Sequence, residues 1–95
     1  MIQKKVTIKN PMGLHARPAA MFVQFCMKFK ELITIECNGR EINSKSIMSI
    51  LAAGITRGSE IEVKVYGDNE NLVCDKVVEY LENISDWFEK NEHNV

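Results

Sequence analysis

One histidine, His15, stands in the run Gly13-Leu14-His15-Ala16-Arg17-Pro18-Ala19-Ala20 with no carboxylate, thiol or second histidine beside it. Acid/base or nucleophilic turnover ordinarily needs such a partner and a substrate pocket, which a helix tip on a chain of this size scarcely offers. Accepting a phosphoryl group does not: the free nitrogen of a neutral imidazole already carries the lone pair that attacks phosphorus. What that reaction needs is a setting that stabilises an anion and lets it go again. Arg17 supplies a guanidinium able to hold phosphate oxygens through two hydrogen bonds. Gly13 and Pro18 bracket a helix start, with His15 at the N-cap and Ala16, Arg17 and Pro18 as the first turn. There the amides lack intrahelical acceptors and the dipole is positive, which suits an anion and favours the uncharged ring. Pro18 loses nothing in a first turn, whereas Arg17, preceding a proline, resists the helical conformation and distorts the turn. The plain alternative is a histidine that only caps a helix.

A second hydroxyl-bearing helix start lies downstream. Ser46 precedes the apolar run Ile47 to Ala53, and Gly54 follows it, the punctuation of a short capped helix. A capping role alone accounts for that serine. Around the two helix starts, Ala16, Ala20, Ile47, Met48 and Leu51 offer small or pliable apolar side chains suited to several partners in turn, with Met21 and Met27 off the main stripe of the first helix. Arg17, Lys45 and Lys28 supply a basic rim. No paired-ligand spacing accompanies His15, and His93 sits near the polar end of the chain, so no metal site is expected.

These residues must be held by a scaffold that the hydrophobic pattern describes. Residues 2 to 8 alternate, with Ile2, Val6 and Ile8 on one face and Gln3, Lys5 and Thr7 on the other; Lys4 breaks the apolar side and suggests a frayed or an edge-like start. Asn10-Pro11-Met12-Gly13 is turn chemistry. From Ala16 to about Lys28, Ala19, Phe22, Cys26 and Phe29 recur at helical spacing, with Gln24, Lys28 and Glu31 opposite. Residues 32 to 37 alternate again, Ile33, Ile35 and Cys37 inward against Thr34 and Glu36, and Asn38-Gly39 signals a type I′ hairpin into a strand over 40 to 43. Ile61, Val63 and Val65 alternate through 60 to 66, and Gly67-Asp68-Asn69 turns into a final helix. Its stripe runs through Val73, Val77, Tyr80, Leu81 and Ile84 to Trp87 or Phe88, about four or five turns in all. The order β-α-β-β-α-β-α predicts an α+β fold with one helical layer on one face of an antiparallel sheet.

The 95 residues fit one domain, expected over 1–89, followed by a loose polar tail over 90–95. A net charge of -1 leaves no footprint for nucleic acid or an anionic membrane. No window approaches the roughly 20 apolar residues of a membrane span, and the alternating start does not read as a signal peptide. Cys26, Cys37 and Cys74 are odd in number and lack metal spacing, so they are expected as buried apolar side chains in a reducing cytoplasm.

The run GLHARPAA, with KSIMSILAAGITRGSEIEV beginning at Lys45, resembles the HPr family, the histidine-containing phosphocarriers of the bacterial phosphoenolpyruvate-dependent sugar phosphotransferase system. The resemblance spans roughly residues 2 to 85. It implies that His15 accepts phosphate on Nδ1 from enzyme I and passes it to the A domains of sugar permeases, and that Arg17 stabilises or frees that phosphate. It implies that Ser46 is a regulatory serine addressed by a kinase/phosphorylase, with a transcriptional regulator as a further partner. The implied fold is an open-faced β-sandwich, a four-stranded antiparallel sheet with three helices on one face. A cytoplasmic monomer is expected, a carrier modified once per cycle rather than a turnover enzyme, with no cofactor. The competing readings are a relative serving the nitrogen branch and a binding module acting through phosphorylated Ser46. Two departures stand out: Met12 occupies a position where many relatives carry a short polar residue, and the C-terminal helix and tail are longer than usual.

Overall fold

The computed structural model describes residues 1–11 and 13–93, with side chains through Ile84. Met12 and the side chains of Trp87, Phe88 and His93 therefore lie outside the described residues. The elements run β1 (Ile2–Thr7), α1 (Ala16–Cys26), β2 (Leu32–Cys37), β3 (Arg40–Asn43), α2 (Ile47–Ala53), β4 (Glu60–Tyr66) and α3 (Glu70–His93). The four strands form one antiparallel sheet in the order β1-β4-β2-β3.

Alternation decides which side of each strand meets the helices. Val6, Ile33, Ile35, Cys37, Ile42, Ile61, Val63 and Val65 are buried, and they share one core with Ala19, Phe22, Val23 and Cys26 of α1, Ile50 of α2, and Val73, Cys74, Val77, Leu81 and Ile84 of α3. α3 lies against β1 and β4, and α2 against β3. α1 is held to α3 partly by Phe25 stacked on Tyr80, ring centroids 4.3 Å apart. The other face of the sheet stays open and polar, with Lys64 Nζ on Glu36 Oε1 at 2.6 Å and Glu41 Oε1 accepting from both Thr34 and Tyr66. This is the expected open-faced α+β sandwich.

Several local expectations change for identifiable reasons. Of the two alternatives for β1 the edge holds and fraying does not: Lys4 opposes Val63 on the helix side, and its ammonium reaches Asp75 on α3. α1 stops at Cys26 rather than near Lys28. Glu31, expected in solvent, is buried because Gly67 packs against it and the Asn69 amide donates to its Oε2 at 3.2 Å. Thr34 does point to the open face, yet its bond to Glu41 leaves it buried. α3 continues to His93 through a stretch without glycine or proline, so the helical backbone includes residues 90–93 of the expected loose tail. Asn38 and Gly39 take φ of 54° and 79°, as the type I′ hairpin requires.

The three cysteines are free and buried. Burial pushes the Cys26 thiol up to about 12, against the opposing pull of Lys45. No described helix is long and apolar enough to cross a membrane.

Candidate functional site

The segment leading to His15 is built by the turn between β1 and α1. Gly13 N donates to Asn10 O at 2.9 Å, closing the turn, and Leu14 N donates to Ile55 O at 3.0 Å, docking it on the loop between α2 and β4. Gly13 has φ of 61°, and a Cβ there would lie 2.4 Å from Ile55 O, so only glycine allows this approach. Ile8 and Gly58 reinforce the junction, Gly58 N donating to Ile8 O at 2.7 Å. Leu14 is buried, and the next three residues, His15, Ala16 and Arg17, emerge into solvent before Pro18 and Ala19 turn inward.

His15 is the N-cap of α1, with extended backbone angles (φ -130°, ψ 151°) and no side-chain cap hydrogen bond. A capping residue would spend its side chain on the amides of the first turn; this imidazole does not. Backbone strain shows directly after His15. Ala16, not Arg17, has a positive φ, 53°, a conformation that costs a non-glycine residue about 1–3 kcal/mol and that recurs where function requires it.

Ser46 is the N-cap of α2, half-buried, and its Oγ accepts from Ser49 N at 3.3 Å. Gly54 closes the same helix in the left-handed conformation, its amide on Leu51 O. α1 packs against α2, and the expected contact residues show a graded exposure. Ala16 is exposed, Ala20, Ile47 and Leu51 are half-buried, and Met48 is 73% exposed. Met27 is exposed on α1's far end and Met21 is half-buried. Lys45 departs from the expected basic rim: its Nζ donates to Phe29 O and Glu31 O at 2.5 and 2.7 Å, so the ammonium fastens the segment before α2 onto the end of the α1–β2 connection. Lys28 is exposed, with its Nζ 5.6 Å from the Phe25 ring centroid, on the α3 side of α1.

Sequence patterns show Asn10 only as a turn residue and assign no role to the loop over 54–59. The only signal for that loop was its glycine pair, Gly54 and Gly58, around Ile55-Thr56-Arg57. Among the described residues, no group of three or more His, Cys, Asp or Glu side chains is placed to hold a metal ion.

Residues 2–83 match the family model described as PTS HPr component phosphorylation site. The chain is 36% identical over 83 residues to Phosphocarrier protein HPr of Xylella fastidiosa strain Temecula1, covering 87% of this chain and 93% of that one. It is 34% identical over 82 residues to HPr-like protein Crh of Bacillus subtilis strain 168, covering 86% and 96%. Among solved structures, HPr from Thermoanaerobacter tengcongensis superposes with a TM-score of 0.84 at 38% identity, covering 90% of this chain and 96% of that one. HPr from Bacillus anthracis str. Ames gives 0.80 at 38% identity, covering 84% and 95%.

Proposed function

Because the chain belongs to the HPr family of phosphocarriers, we propose that His15 accepts a phosphoryl group from phospho-enzyme I, with phosphoenolpyruvate as the ultimate donor, and passes it to the A domains of sugar permeases. The observation that carries this reading is an exposed N-cap imidazole whose side chain makes no capping bond. A ring nitrogen attacks phosphorus as the bond to the donor breaks, and the helix start and Arg17 stabilise the phosphoryl oxygens. The strained Ala16 keeps the first turn from closing in a regular way around the ring. Exposure at a helix tip suits a carrier, since the same nitrogen must meet a donor and then an acceptor. In this reading the protein is a cytoplasmic monomer, modified once per cycle, with no turnover of its own.

Partners are received on the apolar surface beside His15, where Met48 is the most exposed large hydrophobic side chain among the described residues. Ser46, at the edge of that surface, is the regulatory site for a serine kinase/phosphorylase, and through it for a transcriptional regulator. A phosphate carrying about -1.5 to -2 charges there changes what approaches the surface without requiring a change of fold.

Relatives named HPr and relatives named HPr-like protein Crh both match this chain. Retention of His15 favours a carrier over a module acting through phosphorylated Ser46 alone. Incubation with phosphoenolpyruvate and enzyme I is expected to add one acid-labile, base-stable phosphate, absent in His15→Ala. Onward transfer to sugar-specific A domains supports the sugar branch; transfer only to nitrogen-type A domains would replace it with the nitrogen branch.

A further inference from the structure

We propose that Asn10 is a positioning residue for His15, holding the exposed imidazole in one orientation through the carbonyl of Gly13. This rests on the phosphocarrier reading for its consequence, though not for its geometry. Asn10 is 1% exposed and is one of the buried polar residues among those described, with Glu31, Thr34 and Ser44. It is the one of the four that lies in the loop delivering His15. Its Nδ2 donates to Gly13 O at 2.8 Å, while its own carbonyl accepts from Gly13 N at 2.9 Å. The peptide unit on each side of Gly13 is thus fixed by the same residue.

The geometry explains why this bond reaches the histidine. Gly13 O belongs to the peptide that leads into Leu14, and Leu14 is pinned through its amide to Ile55 O. With the Gly13 carbonyl turned toward Asn10, the Gly13–Leu14 plane has one orientation and His15 leaves it in one direction. The ring itself makes no capping bond, and the next residue, Ala16, sits in a conformation a relaxed chain would leave. A buried amide donor is a costly choice for merely filling space, because it must be hydrogen-bonded to be tolerated. An apolar residue would fill the volume, whereas a donor also holds the carbonyl end of the Gly13–Leu14 peptide, whose N–H end is held by Ile55 O.

The test separates positioning from stability. Asn10→Ala removes the donor, and Asn10→Asp keeps the shape while removing it; Leu81→Ala, in the α3 core, serves as a variant destabilised elsewhere. In steady-state transfer from phospho-enzyme I, both Asn10 variants should lose about tenfold or more in kcat with KM within about twofold of the parent chain, since misplacing a reacting group by about 1 Å costs on the order of a hundredfold. Leu81→Ala should keep its kcat under conditions where it is folded. In the free protein, amide spectra of Asn10→Ala should show shifted or exchange-broadened His15, Ala16 and Arg17 signals while the sheet amides stay in place. Parent-like kcat in both Asn10 variants overturns the proposal, as do parent-like His15 to Arg17 signals. If the parent chain takes no phosphate from enzyme I, the phosphocarrier reading fails instead, and the spectra alone decide whether Asn10 orients His15.

Discussion

His15 and Ser46 each stand immediately before a helix, both with extended backbone, at φ -130° and -116°. Their side chains are used in opposite ways. Ser46 accepts a hydrogen bond from Ser49 N and so helps hold α2 together, and the helix that follows ends regularly at Gly54. His15 makes no such bond, and α1 begins with a strained Ala16. A cap that contributes to stability has its polar atoms occupied; a cap left unbonded keeps them for chemistry. The contrast also fits the order of events proposed for the two sites, in which His15 is modified and relieved in every cycle and Ser46 is modified only to regulate.

The supports behind the two sites differ as well, and substitutions can sharpen that difference. Gly13→Ala should be the most damaging change, because the new Cβ would meet Ile55 O at 2.4 Å in a backbone conformation with φ of 61°. A loss of about 3 kcal/mol in chemical denaturation is expected, the upper end of what a strained non-glycine backbone costs; parent-like stability would show that the Gly13–Ile55 junction gives way easily. Next, Met48→Asp places a charge on the exposed apolar surface beside α2 and should slow transfer both from enzyme I and to a permease A domain, with stability changed by less than about 0.5 kcal/mol. Unchanged exchange with both partners would remove that surface from the contact. Ser46→Ala should cost about 1 kcal/mol through loss of the cap, whereas His15→Ala should cost less, because no capping bond is lost. Equal losses at the two positions would erase the contrast.

The smallest effect belongs to the open face of the sheet. Hydrogen bonds from Thr34 first, and then Tyr66, hold the Glu41 carboxyl below its ordinary 4.5. A lowered carboxylate stabilises the fold above its unfolded pKa, and that contribution fades as pH falls through the folded value. The stability difference between the parent chain and Glu41→Gln should therefore be present at neutral pH and shrink below about pH 4.5. A difference that grows in acid would contradict the assignment.

Most of the scaffold was readable because it rests on local patterns. Alternation placed β1, despite Lys4, and β2 and β4, Asn38-Gly39 placed the hairpin, and Ser46 with Gly54 bounded α2. His15 and Arg17 were readable as chemistry for the same reason, since a helix start is a local feature. What sequence could not supply were contacts closed by distant chain. Lys45 reads as a free rim cation until the carbonyls of Phe29 and Glu31 are folded against it. Glu31 reads as a solvent residue until Gly67 and Asn69 cover it. Asn10 reads as a turn former, and only the depth of the turn against Ile55 shows that its amide is buried and directed at Gly13. The positive φ of Ala16 has no signal in the sequence, since the proline rule speaks only of Arg17.

The central claim is that the imidazole at the mouth of α1, which makes no capping bond, is the atom group that takes the phosphate. Nitrogen–phosphorus correlated NMR on the nitrogen-15 labelled chain, after incubation with phosphoenolpyruvate and enzyme I, addresses it directly. The account predicts one phosphorus resonance coupled to a ring nitrogen of His15. A phosphorus signal coupled to His93, or attached to no imidazole nitrogen, would contradict it.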